Sequence, residues 1–542
     1  MKRTSIYLFL FAAWLLLFAA CADFLKEDPK DRLPDTGTFK DVRELYLNGV
    51  ASLYNYIGGS SDSQGLQGTG RGVYDLNTFT TDEAMMPTRG GDWYDGGFWQ
   101  GLYLHNWGTN NDAVQATWEY LYKVVGLANL SLEKIDAFAV KHPDAKIDAY
   151  RAEVKALRAL FYYHLMDLFG RVPLILSPSA KGIEQSARGA TYRFLVKELQ
   201  EALPLLPGEH SNRHGPYYGR ITRPVVFFLL AKLALNAEVY ADDDWTDEAR
   251  PDGKEIYFEL DGQRLNAWQA TIAWCDSLTE MGYALAEDYP DNFAVFNETS
   301  PENIFVIPMN KNLYTNQMIY LFRSRHYNHA AAYGLGGENG ACATLETIRT
   351  FGYGTPDTDP RFNLCFYADT VYDLNGKAVL LDNGDTLVYH PGETALDLSN
   401  SLYEKTAGAR MKKYAVDKTA TKDGRLMEND IVLFRYADAL LMKSEALVRN
   451  GNDGDTELNR VRRRVKAPDR EATLENILDE RLMELVWEGW RRQDLVRFGL
   501  FARAYSYRPP LENEAGGYTT VFPIPEKIRS LSSSNLQQNP GY

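Results

Sequence analysis

The feature that most constrains this chain is a long helical pattern between residues 147 and 168. Its apolar side chains recur at steps of three or four residues, which places them on one face of an α-helix. They are Ile147, Tyr150, Val154, Leu157, Phe161, Leu165 and Leu168. Alanines between them allow a second helix to approach closely, and Gly170 stands where a C-cap is expected. The segment therefore predicts a helix that packs against other helices.

Several further segments carry the same periodicity and predict a mainly α-helical fold. They cover residues 112–137, 192–203, 224–240, 265–281, 431–449, 455–465 and 474–487. The first four predicted helices, counting the one at 147–168, form two helical hairpins in this interpretation. Such pairs are similar to tetratricopeptide-type stacking, although the spacing is too uneven for a fixed repeat.

Helical periodicity is lost in residues 283–429, where Gly, Asn, Asp, Pro and Tyr dominate. Short alternating runs such as residues 386–389 predict small strands. Residues 60–109 have the same character. Long ordered loops on a rigid scaffold are where binding residues concentrate, so we expect the binding face in these two regions.

The N-terminus has the organisation of an export signal. Lys2 and Arg3 precede an uncharged apolar run, residues 6–20, that is shorter than the about 20 residues of a membrane span. The run ends in Phe-Ala-Ala-Cys, which resembles a bacterial lipobox, with Phe18 where Leu is usual. We predict a signal peptide at residues 1–20, lipid attachment at Cys21 and a tether at residues 21–36. An ordinary signal peptide with an incidental cysteine is the alternative.

Charge and cysteine content exclude several functions. The net charge is −15, and the one basic run, residues 460–466, lies in a helical pattern that favours ion pairing over nucleic-acid binding. Apart from Cys21, the cysteines are Cys275, Cys342 and Cys365, an odd number that does not indicate a disulfide framework. No Cys/His spacing typical of zinc is present.

The C-terminal third contains the most specific motifs. RYADALLMKSEALVRNG, LNRVRRRVKAP, LDERLMELVWEGWRRQDLVRFG and FPIPEKIRSLSSSNLQQNPGY follow one another in order, after CADFLKEDPKD, TTDEAM and ITRPVVFFLLAKLALNAEVY in the first half. This ordered set resembles the SusD/RagB family of outer-membrane nutrient-binding lipoproteins over nearly the whole chain. We therefore divide it into an N-terminal helical region, residues 37–282, and a C-terminal region, residues 283–542, with a loop-rich insert at 283–429, helices at 430–487 and an irregular tail.

The resemblance implies a SusD-like α/α superhelix of tetratricopeptide-like hairpins that carries a loop-rich face with a few short strands. It also implies a non-catalytic, lipid-anchored protein that lies over a SusC-like TonB-dependent transporter and passes oligosaccharides to it, without a cofactor. A RagB-like peptide-binding lipoprotein is the alternative. A surface glycoside hydrolase would need two carboxylates about 5 to 10 Å apart, and a scaffold that binds only protein would not need the loop aromatics.

Sugar recognition uses flat aromatic faces together with carboxylate, amide or guanidinium groups, and two loops offer both. The candidates are Asp82, Arg89, Trp93, Tyr94 and Trp99 in the first loop, and Tyr314, Tyr320 and Tyr327 in the second. We expect Trp93 and Trp99 to be the stacking platforms, with Asp82 and Arg89 as polar partners. Alternatively, Trp99 packs the loop onto the helices and Asp82 is structural.

Other polar clusters favour structural interpretations. His326 and His329 are three residues apart but have no identifiable third metal ligand, and Asp242 to Asp244 lack EF-hand spacing. Arg491 and Asp494 lie in a segment whose alternating charges predict an ion-pair network.

Overall fold

The computed structural model describes residues 39–59, 64–67, 70–180, 184–247, 249–313, 316–318, 323–531 and 536–542. Within these ranges the fold is mainly α-helical, with few and short strands, which confirms the predicted class. Helices of ten residues or more are α1 (Asp112–Ala139), α2 (Ala145–Phe169), α3 (Arg188–Ala202), α4 (Arg223–Leu235), α5 (Ala267–Glu280), α6 (Tyr436–Arg449), α7 (Asp455–Arg464) and α8 (Leu474–Leu485).

Shorter helices connect and flank the long ones. The α-helical ones are Val42–Tyr46, Ser52–Tyr54, Val73–Thr78, Phe98–Tyr103, Ala237–Tyr240, Tyr327–Ala332, Leu345–Thr350, Phe362–Cys365, Arg491–Arg497 and Glu526–Leu531. A π-helical segment spans Leu47–Ala51, and 3-10 turns span Asp95–Gly97, Leu203–Leu205, Tyr289–Phe293, Asn297–Thr299, Lys422–Gly424, Glu514–Gly516 and Tyr518–Thr520.

Side-chain caps define where the long helices begin. Asn111 accepts the backbone N–H groups of Ala113 and Val114 at the start of α1, and Asp144 accepts that of Lys146 at the start of α2. Both satisfy donors that have no partner inside the helix. Gly170 is the C-cap of α2, as the sequence predicts. Its φ of 66° is one that glycine adopts without the steric cost that a side chain would bring.

The helices pack in sequence-neighbour pairs around one large core. Helix α1 packs on α2 and α2 on α3, then α4 packs on α5, α5 on α6, and α6 on both α7 and α8. The predicted first hairpin is confirmed, but α4 packs mainly on α5 rather than on α3. The reason is its composition: α4 is apolar on nearly every side and is buried from Pro224 to Leu235 except at Phe227, so it belongs to the core of the bundle.

Ten short strands form five separate antiparallel pairs in the described residues. The pairs are β1 (Ala84–Met85) with β5 (Cys342–Ala343), β2 (Tyr257–Leu260) with β3 (Gln263–Asn266), β4 (Asn303–Ile307) with β10 (Ile431–Arg435), β6 (Phe366–Tyr367) with β9 (Arg410–Met411), and β7 (Asp369–Thr370) with β8 (Val388–Tyr389). The β1–β5 pair, with Met85 opposite Cys342, attaches the first loop region to the insert.

The helix predicted at residues 431–449 is wrong over its first five residues. Residues 431–435 form β10, with Ile431 opposite Ile307 and Val432 opposite Val306, and α6 begins at Tyr436. All five residues of β10 are buried. A short buried apolar run fits a strand and a helix equally well in periodicity, and only the partner strand decides between them. The strand predicted at 386–389 is confirmed at Val388–Tyr389.

The predicted ion-pair network is present, but Glu480, Glu484 and Glu488 do not pair with Arg481, Arg491 and Arg492 as their spacing predicts. Their partners come from other segments of the chain. Glu484 pairs with Arg361, Arg435 and Arg464, all inside the protein. Burial alone raises the pKa of Glu484, but these three guanidinium groups outweigh it and hold the pKa well below its usual value. Within the basic run at 460–466, Arg462 and Arg464 pair with buried carboxylates, whereas Arg463 pairs with Asp469 at the surface.

Several sequence predictions concern residues beyond the described ranges. The signal peptide, Cys21 and the tether all precede residue 39.

Cys275, Cys342 and Cys365 are buried and unpaired. No helix in the described ranges combines the length and apolar character that crossing a bilayer requires.

Candidate functional site

The loop that follows β1 is held against the insert by backbone hydrogen bonds. The N–H of Thr88 donates to the carbonyl of Leu396 at 2.9 Å, and Arg89 and Asp92 exchange backbone hydrogen bonds across a turn at Gly90. These contacts give the residues that follow, 92–99, a defined position next to the helix Tyr327–Ala332.

Trp93 is half-buried and is fixed by its indole N–H, which donates to the carbonyl of Glu338 at 2.8 Å. Its backbone has a φ of 64°, an unusual value for a bulky residue. The indole lies directly against Gly340, where a Cβ atom would come within 2.7 Å of the ring. With its N–H already bonded, the ring face is what Trp93 can offer to a ligand.

Among the aromatic candidates that the structure describes, Tyr94 and Tyr327 are the most exposed, at 59% and 41% of their surface. The Tyr327 hydroxyl donates to Asp92 Oδ2 at 2.9 Å, which ties the insert to the residue before Trp93. Partial burial and this hydrogen bond to Asp92 raise the pKa of Tyr327 to about 12, so the phenol stays protonated at neutral pH. We refer to Trp93, Tyr94 and Tyr327 as the aromatic ledge.

Charged groups flank the aromatic ledge. Glu338, half-buried beneath Trp93, lies 3.5 Å from the guanidinium of Arg425, and burial raises the pKa of its carboxyl. On the other flank the Arg71 guanidinium lies 4.7 Å from the centre of the Phe98 ring and 2.8 Å from an oxygen of Asp95. Such groups can hydrogen-bond sugar hydroxyls beside a ring that stacks.

The prediction that Trp99 is a second stacking platform is wrong. Only 2% of its surface is exposed, and its indole N–H donates to Asp95 Oδ2 at 2.8 Å. Its ring packs edge-on between Phe79 and Phe98, with ring centres 5.5 and 4.8 Å away. The alternative interpretation, that Trp99 packs the loop onto the protein body, is the one that the structure supports.

Arg89 and Asp82 are likewise turned inward and do not line the surface. The buried Arg89 guanidinium donates to the carbonyl oxygens of Gly340, Glu404 and Ala407. Burial and the nearby Arg410 lower its pKa to about 9. Asp82 is fully buried and accepts hydrogen bonds from Arg491 and Arg503. Both residues position the loop, and neither is accessible to a ligand.

The second loop is described only in part. Tyr314 and Tyr320 lie outside the described residues, so their role stays a prediction. His326 accepts the N–H of Asn328 as a helix cap, and the buried His329 lies 3.0 Å from the Tyr389 hydroxyl. No group of three or more potential ligand side chains that could hold a metal ion occurs in the described ranges.

Glu338 and Arg425, which flank the aromatic ledge, are not predicted by the sequence. Glu338 is 245 residues from Trp93 in the chain and Arg425 lies further on. Neither stands in a motif, and the one available signal was the concentration of polar and glycine residues around each of them.

Two family models match this chain, one in each half. The model described as the SusD family matches residues 301–542, and the model described as starch-binding associating with outer membrane matches residues 23–235. Starch-binding protein SusD from Bacteroides thetaiotaomicron is 23% identical over 577 residues, which cover 96% of each chain. A SusD-like protein from Formosa agariphila is also 23% identical and covers 99% of each chain.

Solved structures of the same kind share the fold. Surface glycan-binding protein A from Bacteroides thetaiotaomicron, in complex with laminarihexaose, superposes with a TM-score of 0.69 at 21% identity, over 92% of this chain and 99% of that one. A laminarin-binding SusD-like protein superposes with a TM-score of 0.66 at 23% identity, over 93% of this chain and all of the other. At these identities the likeness establishes the fold.

Proposed function

Since this chain belongs to the SusD family, we propose that it is a non-catalytic surface protein that captures oligosaccharides and delivers them to a SusC-like TonB-dependent transporter. In this proposal a lipid on Cys21 anchors it to the outer membrane, and the aromatic ledge holds the sugar.

The observation that carries the proposal is the arrangement of the aromatic ledge. Trp93 is immobilised by one hydrogen bond and by contact with Gly340, so little side-chain freedom remains to be lost on binding. Tyr94 follows Trp93 in the chain, Tyr327 is hydrogen-bonded to Asp92 just before it, and both tyrosines are exposed. An exposed aromatic group of this kind, flanked by Asp92, Glu338 and Arg71, suits the apolar faces and the hydroxyl groups of a sugar.

The relatives and the matching family models support the ligand class and the compartment. The relatives include a starch-binding protein and proteins that bind glycan or laminarin, and one matching model is described as associating with the outer membrane. By analogy we assign this chain a glycan ligand and a place at that membrane.

Affinity electrophoresis against a panel of polysaccharides tests the proposal. We expect retention on at least one glycan, and a loss of about tenfold in affinity, equivalent to roughly 1.4 kcal/mol, in Trp93→Ala or Tyr94→Ala. Tyr257→Ala is a matched control because Tyr257 is 48% exposed but lies on the β2–β3 hairpin. Equal retention of all variants would place the ligand elsewhere.

A parallel incubation with the retained glycan tests the absence of catalysis. We expect no release of reducing ends. Their release would make the chain a hydrolase, and retention of peptides without retention of any glycan would make it a peptide-binding member of the family.

A further inference from the structure

A second aromatic surface lies at the other end of the helix Tyr327–Ala332. It is a cavity of about 510 Å³ lined by Tyr333, Tyr367, Tyr372 and Lys412, among others. Tyr372 is 53% exposed, and the Tyr333 hydroxyl donates to its backbone carbonyl at 3.1 Å. The rings of Tyr333 and Tyr367 have centres 6.3 Å apart and are tilted by 59°. We name this surface the tyrosine groove.

The tyrosine groove is built on paired strands and its own small core. Tyr367 belongs to β6, which pairs with β9, and β7 pairs with β8 immediately afterwards. A small cluster of Val371, Val379, Leu387 and Tyr389 is buried behind these strands. The groove is therefore formed before any ligand arrives, which reduces the conformational cost of binding.

Lys412 gives the groove an uncompensated positive charge. Its ammonium donates to the backbone carbonyl of Asn363 at 2.7 Å and lies 5.6 Å from the centre of the Tyr367 ring. Throughout the described ranges, no carboxylate lies within 4.0 Å of it, whereas the next residue, Lys413, is paired with Glu488. Burial without a counter-charge lowers the pKa of Lys412. An ammonium has three donors, so a ligand anion can still be accepted.

The nearby carboxylates are engaged elsewhere. Asp373, which also lines the groove, accepts the backbone N–H groups of Asn375 and Lys377 within its own turn through Oδ1, at 2.8 and 2.9 Å. Asp369 accepts the hydroxyl of Tyr353 at 2.6 Å. Neither reaches Lys412, so its charge is open to a ligand that enters along the tyrosines.

We propose that the tyrosine groove is a second subsite, which takes a sugar residue carrying a carboxylate or a sulfate group. The apolar face of the sugar stacks on Tyr367 or Tyr372, and the anionic group accepts a charge-assisted hydrogen bond from Lys412 Nζ. This inference rests on the proposed function, because the ligand is a glycan in both.

The position of the groove suits one ligand that occupies both sites. Tyr327 is the first residue of a six-residue helix and Tyr333 follows its last, about 9 Å further along the helix axis. An oligosaccharide is long enough to cover this axial separation, so the proposal allows one ligand to contact the aromatic ledge and to place its acidic residue in the groove.

The test compares acidic and neutral forms of the same glycans by isothermal titration. The probes are oligogalacturonate with its methyl ester, and a sulfated galactan oligosaccharide with its desulfated form. The two pairs separate carboxylate from sulfate recognition. Measurements at about 0.15 M salt, where the Debye length is about 8 Å, limit the long-range repulsion from the net charge of −15.

We expect the wild-type protein to prefer at least one acidic probe over its neutral partner by about tenfold or more, the strength of one charge-assisted hydrogen bond. Lys412→Met should abolish this preference, and Lys412→Arg should retain part of it. Lys197→Met is the control for net charge, because Lys197 is highly exposed on α3. Unchanged melting temperatures establish that each variant is folded.

The outcomes separate the two proposals. If Trp93→Ala weakens glycan binding but Lys412→Met leaves the acidic preference unchanged, the groove assignment is wrong and the proposed function stands. If the wild-type protein binds acidic and neutral probes equally, the groove assignment is also wrong. If no glycan is bound at all, both proposals fail.

Discussion

The side chains of Asp82 and Arg491, 409 residues apart in the chain, form a two-point ion pair inside the protein. Arg491 Nε lies 2.7 Å from Oδ1 of Asp82, and Nη2 lies 2.9 Å from Oδ2. Arg503 adds a third hydrogen bond at 2.7 Å. Beside them, Glu83 accepts the backbone N–H of Trp487 at 2.8 Å. The segment that precedes the aromatic ledge is therefore attached to the C-terminal helices.

Asp82→Asn should destabilise the protein by about 3 to 5 kcal/mol, because it leaves two guanidinium groups without their buried counter-charge. The measurement is the free energy of unfolding from guanidinium chloride titration. Asp469→Asn is the control, since Asp469 pairs with Arg463 at the surface and should matter little. Similar small effects in both variants would contradict a supporting role for Asp82.

The buried carboxyl group of Asp430 should make the stability of the protein depend on pH. Burial raises the pKa of this carboxyl to about 8, although it accepts hydrogen bonds from the Tyr218 hydroxyl and the Met309 N–H. The folded state thus retains a proton that the unfolded chain loses near pH 4. The stability that this proton contributes is complete below pH 4 and is lost as the pH rises through about 8.

Asp430→Asn should remove this loss, because the amide stays neutral and can still accept the Met309 N–H. Relative to wild type, its free energy of unfolding should rise between pH 5 and pH 8, by up to about 1.4 kcal/mol per pH unit. Urea titrations at pH 5, 6.5 and 8 measure the difference, with Asp469→Asn as a variant that should show no such trend. A constant difference across this range would mean that Asp430 is ionised in the folded protein.

Gly340→Ala tests whether the close contact between Gly340 and the Trp93 indole is required for binding. A Cβ atom at this position would meet Met86 Sδ at 2.6 Å, Trp93 Cε2 at 2.7 Å and the carbonyl of Arg323 at 2.9 Å. We expect a stability loss of about 1 to 3 kcal/mol and a displaced indole, seen as weaker glycan retention and altered tryptophan fluorescence. Gly91→Ala, where nothing lies within 4 Å, is the matched control and should behave like wild type. If Gly340→Ala retained glycan as well as wild type does, this contact would not be required for binding.

Replacing Cys21 tests the lipid anchor that the sequence predicts. Cells that express the chain should incorporate a fatty-acid probe into it, and Cys21→Ala should abolish the labelling because the thiol is the attachment atom. A single acyl chain anchors weakly, so the two or more chains of a lipoprotein are needed for stable attachment. Equal labelling of both forms, or labelling of neither, would remove the anchor.

The residues of the candidate site show how far sequence reasoning reached. Ring chemistry and loop position predict Trp93, Tyr94 and Tyr327 as ligand contacts, and in the structure these side chains are half-buried or exposed. The same features predict Trp99, but its side chain is buried. In a loop without regular periodicity, the sequence carries no signal for the direction of a side chain, so ring chemistry alone could not separate Trp93 from Trp99.

The sequence by itself determined the helical class, the position of most long helices and the loop-rich insert, because periodicity and capping depend on residues three or four apart. The tertiary structure alone decided that residues 431–435 form a strand, that Asp82 meets Arg491, and that Glu338 and Gly340 hold Trp93. Each of these depends on partners more than one hundred residues away. Such contacts form only when the whole chain closes around one core, and no local pattern encodes them.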